Sequence, residues 1–130
     1  GFTPASIVND APVVFHDKTL EGIWRPQNDT RRFYGPTRLR VGLAKSRNLV
    51  SIRLLQMVGI KPAMQVLERF GFERSRMSYG LSLALGTANF SPLEMATGFA
   101  TFANGGYKIA PFLVAKVETL QKEVLFEAKP

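Results

Sequence analysis

Ser46 and Asn48 are the residues of this chain with the clearest potential for chemistry, and they flank Arg47. Serine carries a hydroxyl that can donate and accept hydrogen bonds, and asparagine carries both an amide donor and an amide acceptor. One helix is predicted to run into this triplet and a second to run out of it. At such a break, two polar side chains two positions apart can point into one cleft. The triplet is therefore a candidate wall of an active site, and the alternative is that both residues serve only the helix ends.

The elements that must position the triplet are helices, because apolar residues recur at spacings of three and four on both sides of it. Thr37 is predicted to cap the first helix and Asn48 the second, which ends at Gly59. On one face, the first helix carries Leu39, Leu43 and Ser46.

Further elements follow on each side. A third helix is predicted from about Pro62 to Gly71, and residues 71–90 are predicted to be mostly loop. Ser91-Pro92-Leu93-Glu94 has the pattern of a capping box and predicts a fourth helix that stops at Asn104-Gly105-Gly106. Apolar residues cover much of that helix, so we expect it to be buried.

Strands are expected at the two ends of the chain. Ile7-Val8 and Val13-Val14-Phe15 are predicted to be extended, and residues 16–30 are predicted to be loop. Residues 112–119 and 124–126 are predicted to be strands joined by a turn near Gln121-Lys122. Short strands, four helices and a hairpin together predict an α+β fold.

The composition excludes several classes of protein. With 45% hydrophobic and 21% charged residues, the chain is typical of a globular protein. It has no cysteine and one histidine, His16, so we expect no disulfide, no metal site and no Ser-His-Asp triad. We also expect no cofactor. No apolar run reaches the roughly 18 residues of a membrane span, and no signal peptide is evident. Both ends are expected to be cuts through a longer protein.

The charge of the chain is concentrated in one segment. The net charge is +7, and between Trp24 and Pro62 nine basic residues occur with a single acid, Asp29. Such a field attracts nucleic acid, an anionic membrane or a carboxylate-bearing substrate. The alternative is a solvated helix surface that keeps the protein soluble.

Blocks spread over the whole chain resemble the transpeptidase domain of class A penicillin-binding proteins, the bifunctional peptidoglycan synthases, most closely those of Gram-negative bacteria. The matching blocks, in the family's order, are Pro4-Ala5-Ser6-Ile7-Val8-Asn9-Asp10-Ala11-Pro12, Trp24-Arg25-Pro26-Gln27-Asn28, Gly35-Pro36-Thr37-Arg38-Leu39-Arg40, Lys45-Ser46-Arg47-Asn48, Phe70-Gly71-Phe72, Ser82-Leu83-Ala84-Leu85-Gly86, and the stretch from Ser91-Pro92 to Phe102-Ala103-Asn104-Gly105-Gly106. The resemblance implies a helix-rich fragment of the penicillin-binding transpeptidase and serine β-lactamase-like fold. One triplet alone would be weak support, whereas this many blocks in order are strong support.

The resemblance implies a serine-type D-Ala-D-Ala transpeptidase built from three motifs, Ser-x-x-Lys, Ser-x-Asn and Lys-Thr-Gly. By that match, Ser46 and Asn48 form the second motif and are its catalytic and substrate-binding residues. Ser46 would relay a proton to the departing D-alanine, and Asn48 would hold the substrate peptide. Arg47 would point away from the cleft. The implied partners are peptidoglycan stem peptides, β-lactams such as penicillin and the remainder of the transpeptidase domain, at the periplasmic face of the bacterial inner membrane.

The sequence departs from the family's pattern in two motifs. No serine is followed by lysine three residues on, and Lys18-Thr19 is followed by Leu20 rather than glycine. Residues 1–130 are therefore expected to be the middle part of the domain, inactive alone and without the nucleophile or the Lys-Thr-Gly strand.

A second hypothesis comes from a different class of protein. Basic helices joined by a short turn could form a helix-turn-helix DNA-binding module, with Arg38, Arg40, Arg47 and Arg53 on phosphates. Against it, no turn glycine joins Ser46 to Leu49, and the predicted exposed face lacks a cluster of base-reading side chains. We therefore expect no nucleic-acid partner.

Overall fold

The computed structural model describes residues 1–17 and 22–129. Two compact units can be distinguished in it. The first comprises Gly1–Val66 and Glu73–Asn89, and the second comprises Leu67–Phe72 and the residues from Phe90 onward. Both helices and strands occur, which confirms the α+β prediction.

The elements of the chain are short. In order they are β1 (Ile7–Asp10), β2 (Phe15–Asp17), β3 (Gly22–Trp24), β4 (Gly35–Arg38), α1 (Leu39–Ala44), α2 (Asn48–Val58), α3 (Ile60–Arg69), 3₁₀ turns at Arg74–Arg76 and Leu81–Leu85, α4 (Pro92–Ala103), β5 (Lys116–Glu118) and β6 (Val124–Glu127). The strands form three antiparallel pairs, β1 with β4, β2 with β3, and β5 with β6.

The core of the first unit is built on one face of α2. Leu49, Ile52 and Leu55 are buried at spacings of three, as expected for an amphipathic helix. This helix packs on β1, on α1 and on the 3₁₀ turn Leu81–Leu85. Across the β1–β4 pair, Val8 lies opposite Thr37, and both side chains are buried. The apolar pattern of α2 thus fixes the helix whose first turn carries Asn48.

The start of α1 differs from the prediction. Thr37 does not cap this helix, because it lies in β4 and its hydroxyl donates to the carbonyl of Gly35 at 3.0 Å. The first free N–H groups of α1, on Leu39 and Arg40, are instead satisfied by the carbonyls of Ser6 and Pro4 at 2.9 and 3.0 Å. Strand β4 therefore runs directly into α1, and the segment before β1 supplies the acceptors that a cap would give.

The second unit centres on α4 and on aromatic contacts. Ser91 and Glu94 form the predicted capping box, and the helix ends at Asn104 as predicted. Phe72 lies against Gly98, where an added Cβ would meet its ring at 2.5 Å. Phe70 packs on Phe102 with ring centroids 5.0 Å apart.

The expected burial of α4 is wrong for this chain. Only Gly98 and Thr101 of the helix are buried, and Phe102 is 71% exposed. The second unit offers the helix a contact along one narrow face, so most of its apolar circumference remains open to solvent.

The structure also differs from the prediction in residues 16–30 and in the length of the strands near the end of the chain. Residues 16–30 are not all loop, since β2 and β3 form a hairpin in which Phe15 pairs with Trp24. The terminal hairpin is confirmed, but β5 is limited to Lys116–Glu118, with an irregular register at Val117/Glu118. His16 belongs to β2.

We predict that Gly42→Ala destabilises the first unit. A Cβ at this buried position of α1 would lie 2.6 Å from Val50 Cγ1 and 3.1 Å from Val50 Cβ. Overpacking of this kind costs about 1–3 kcal/mol of unfolding free energy. Urea denaturation of the single variants and of Gly42→Ala/Val50→Ala should show that the double variant loses less than the sum of the two single losses, because Val50→Ala removes Cγ1, the closest atom. Strictly additive losses would contradict the close approach.

Candidate active site

Ser46 occupies the turn between α1 and α2 in a left-handed conformation, with φ 50°. Its N–H donates to the carbonyl of Leu43 at 3.0 Å, and the N–H of Arg47 donates to the carbonyl of Gly42 at 2.8 Å. These two bonds define a Schellman motif, in which the left-handed position normally belongs to glycine. Ser46 is exposed, so the motif presents its hydroxyl at the end of α1.

Two other helices of the chain end in the same way, and both use glycine. After α3, Gly71 has φ 99°, with bonds from Gly71 to Glu68 and from Phe72 to Leu67. After α4, Gly105 has φ 81°. A side chain in this region costs about 1–2 kcal/mol. Serine at position 46 therefore carries a conformational cost that glycine would avoid, and such outliers concentrate at functional sites.

Asn48 is not the N-cap of α2, contrary to the prediction. It is the first helical residue, Arg47 is the N-cap, and no side chain of the cap residue bonds the helix end. The Asn48 amide Nδ2 donates instead to the carbonyl of Gln27 at 2.9 Å. Because Nδ2 is held by Gln27, Asn48 is oriented, and its Oδ1 accepts no hydrogen bond from the part of the chain that the structure describes.

Arg47 is engaged by an aromatic ring. Its guanidinium carbon lies 3.4 Å from the centroid of the Tyr34 ring, and Nη1 donates to the Thr30 hydroxyl at 3.5 Å. The Thr30 hydroxyl, 3.3 Å from the phenol oxygen, and the guanidinium lower the pKa of Tyr34. Arg47 thus ties the α1–α2 turn to the 30–34 loop. That it points away from a substrate cleft stays a prediction.

The structure adds two residues that sequence reasoning did not select, Asp10 and Asn28. Both are almost fully buried, and Asn28 Nδ2 lies 2.7 and 2.9 Å from the two carboxylate oxygens of Asp10. Both residues stand in blocks that resemble the penicillin-binding family, which was the available signal. A loop asparagine and a strand-end aspartate are nevertheless common in sequences, so residue type alone did not indicate that the two residues pair.

Two arginines of the basic segment between Trp24 and Pro62 make contacts within the first unit. Arg53 Nη2 donates to the carbonyls of Ala11 and Pro12 at 3.3 and 3.1 Å, and Arg47 is stacked on Tyr34. Two of the four arginines proposed for DNA phosphates are therefore occupied by contacts within the chain. Within residues 1–17 and 22–129, no group of His, Asp or Glu is arranged to hold a metal ion, and no helix is long and apolar enough to cross a membrane.

The fold of the chain is shared with a protein of known structure. The crystal structure of penicillin-binding protein 1A from Haemophilus influenzae superposes on the whole chain with a TM-score of 0.94 at 41% identity, and the chain covers 19% of that structure. The backbone is therefore that of a segment of the penicillin-binding protein fold. The family model described as penicillin binding protein transpeptidase domain matches residues 2–129. The chain belongs to this family.

Similar curated proteins agree with that assignment. The chain is 51% identical over 130 residues to penicillin-binding protein 1A of Pseudomonas aeruginosa and 42% identical over 130 residues to that of Escherichia coli. All of the chain is covered in both cases, but it spans only 16% and 15% of those two proteins. The resemblance to Gram-negative class A proteins is confirmed, and nothing supports the helix-turn-helix hypothesis.

We predict that Arg47→Ala raises the pKa of the Tyr34 phenol toward the ordinary tyrosine value. The substitution removes a hydrogen bond and a positive charge that favour the phenolate, whereas the Thr30 hydroxyl remains. A pH titration followed by NMR of labelled tyrosine rings would measure the shift, with Tyr34→Phe to assign the signal. An unchanged pKa of Tyr34 would argue against the stacked geometry in solution.

Proposed function

We propose that this chain supplies the Ser-x-Asn wall of a D-alanyl-D-alanine transpeptidase, which cross-links peptidoglycan peptides through a serine acyl-enzyme. The observation that carries the proposal is the left-handed Ser46, which takes a position that glycine fills at the ends of α3 and α4. Family membership supplies the reaction class. Residues 1–130 contain neither Ser-x-x-Lys nor Lys-Thr-Gly. The nucleophile and the Lys-Thr-Gly strand are therefore assigned to sequence outside these residues, which form the middle part of the domain.

In the proposed mechanism, the Ser46 hydroxyl transfers a proton to the departing amine. The nucleophilic serine attacks the carbonyl carbon between the two D-alanines, and the bond to the terminal D-alanine then breaks. The departing nitrogen needs a proton to leave as an amine, and a hydroxyl can accept a proton on one side while it donates one on the other. Ser46 fits this role because its hydroxyl is exposed and has no hydrogen-bond partner among the described residues. The acyl group passes to the amine of a neighbouring stem peptide.

Asn48 is assigned to substrate and to the orientation of the nucleophile's lysine. Its amide has one donor end and one acceptor end, and the donor end is held by Gln27. The acceptor Oδ1 is thus presented in a fixed direction, and it can receive a peptide N–H or a lysine ammonium. Positioning of this kind lowers the entropy cost of reaching the reactive geometry.

The remainder of the transpeptidase domain is the proposed partner of the chain's apolar surface. Many large apolar side chains are exposed, including Leu43 at 81% and Leu113 at 98%. In the first unit, a depression of about 500 Å³ between α1 and α2 has an almost wholly apolar lining that includes Leu39, Leu43 and Leu54. Exposed apolar patches of this kind are uncommon on isolated soluble domains and mark contact surfaces.

Substrates and location follow from the same proposal. Peptidoglycan stem peptides are the proposed substrates, and β-lactams such as penicillin are proposed covalent inhibitors that acylate the nucleophile. We place the reaction at the periplasmic face of the bacterial inner membrane. The family assignment is the support for each of these statements.

We predict that the isolated 130 residues are not labelled by a fluorescent penicillin. A stable acyl-enzyme needs a nucleophilic serine activated by a neighbouring lysine, and no Ser-x-x-Lys occurs in the sequence. Gel fluorescence and intact mass after incubation would measure labelling, with the intact domain as the positive control. A mass increase equal to one penicillin on the isolated chain would overturn the assignment of the nucleophile to sequence outside it.

We predict that Ser46→Ala and Ser46→Gly both lower transpeptidation in the intact protein by about 100-fold or more, the usual worth of a proton-transfer group. Glycine keeps the left-handed backbone, so Ser46→Gly should be about 1 kcal/mol more stable than Ser46→Ala. Cross-linked product and urea denaturation would be measured together. If Ser46→Gly retained activity, the backbone conformation rather than the hydroxyl would be the requirement.

A matched control is available in the second unit. Lys122 also has a left-handed backbone, with φ 64°, in the turn between β5 and β6. Lys122→Gly makes the same conformational change as Ser46→Gly at a position outside the proposed site. Its cross-linking rate should equal that of the unsubstituted protein.

A further inference from the structure

Asn28 joins three separate segments of the first unit through one side chain. Its Nδ2 contacts the Asp10 carboxylate and donates to the carbonyl of Arg32 at 2.9 Å, and its Oδ1 accepts from the N–H of Leu49 at 3.4 Å. The residue is 2% exposed. A buried amide that uses both of its ends fixes the segments it joins, because each broken bond leaves a buried polar group unsatisfied.

The contact with Leu49 lies at the beginning of α2. The first N–H groups of a helix have no partner within the helix, and they are usually satisfied by the side chain of the cap residue. Arg47, the N-cap of α2, provides no such bond. Asn28 supplies it from a loop 21 positions earlier in the chain. Next to it, the Gln27 carbonyl accepts from Asn48, so residues 27 and 28 together hold residues 48 and 49.

Asp10 determines which way the Asn28 amide faces. An ionised carboxylate only accepts hydrogen bonds, so the NH₂ end of the amide must point to Asp10. The carbonyl end is then left for the N–H of Leu49. Asp10 is fully buried at the last position of β1, opposite Gly35 of β4. The sheet pair therefore fixes the carboxylate, the carboxylate orients the amide, and the amide holds the start of α2.

We infer that Asp10 and Asn28 are positioning residues for the Ser46–Asn48 motif, acting through the first turn of α2. The inference rests on the proposed function of that motif. In this proposal, neither Asp10 nor Asn28 contacts the substrate or the nucleophile. Loss of the pair releases the N–H of Leu49 and the segment that carries the Gln27 carbonyl, so the orientation of Asn48 becomes less defined while the apolar core of α2 stays intact.

The test exchanges the two residues in the intact transpeptidase. Asn28→Asp sets a second carboxylate against Asp10 and breaks the pair, whereas Asp10→Asn replaces one of the two accepting oxygens by an NH₂ group and weakens it. In Asp10→Asn/Asn28→Asp the amide faces the carboxylate again, and an oxygen of the new aspartate can still accept from Leu49, but the carbonyl of Arg32 loses its donor. We expect each single variant to lower the second-order rate constant of acylation by a fluorescent penicillin at least about tenfold. The exchange should recover most of that loss, and the remainder should come from the broken bond to the Arg32 carbonyl.

Measuring Tm beside the acylation rate distinguishes a loss of positioning from a loss of stability. Gly98→Ala, which places a methyl group against the Phe72 ring in the second unit, provides a variant with lowered Tm away from the pair. It should acylate at the unsubstituted rate when assayed well below its Tm. Should Asn28→Asp fail to fold, Asp10→Asn is the milder change, because it keeps one oxygen to accept from Asn28.

The outcomes distinguish the inference from the proposed function. Single variants that lose Tm but acylate at the unsubstituted rate overturn the positioning role, as does an exchange that restores Tm without restoring acylation. A requirement for Ser46 combined with no effect at Asp10 or Asn28 overturns this inference alone. An intact protein that penicillin does not acylate overturns both.

Discussion

Burial of one face of α2 is the constraint on which the first unit depends. Leu49, Ile52 and Leu55 fill the core, and this places the first turn of the helix, with its unpaired N–H groups, at the edge of buried space. A buried polar backbone group must find a partner. The Asn28 side chain provides one, and Asp10 in turn satisfies Asn28. The apolar pattern of α2 therefore creates the need for the polar network that surrounds the motif.

The two motif residues are held by different means. Ser46 is placed by its backbone, because the Schellman bonds of α1 fix a left-handed φ and leave the hydroxyl exposed. Asn48 is placed by its side chain, which the carbonyl of Gln27 holds. In the proposed mechanism a hydroxyl that relays protons must be free to rotate, whereas an amide that holds a peptide must not be. The two modes of support match those two requirements.

Sequence reasoning succeeded where the signal was local and repeated. The apolar spacing of α2, the box at Ser91 and Glu94 and the glycines that end α3 and α4 each depend on neighbouring residues. It failed where a distant segment supplied a partner. Thr37 and Asn48 looked like helix caps, but carbonyls of Ser6 and Pro4 and the side chain of Asn28 satisfy those helix ends. The Ser46–Asn48 triplet could be identified because blocks that resemble the family surround it. Asp10 and Asn28 could not, because their contacts with each other and with α2 form only in the folded chain.

The exposed surface of α4 is a second case in which the sequence pattern did not show what a residue contacts. Its apolar residues predicted burial, yet Phe99 and Phe102 are largely exposed in this chain. Hydrophobic residues indicate that a surface is covered in the functional protein, and they do not identify the segment that covers it. Since the chain spans 15–19% of the relatives it matches, the proposed cover lies in the remaining sequence of such proteins. In the proposed function, that remaining sequence would both cover the apolar faces of the two units and supply the rest of the active site around Ser46 and Asn48.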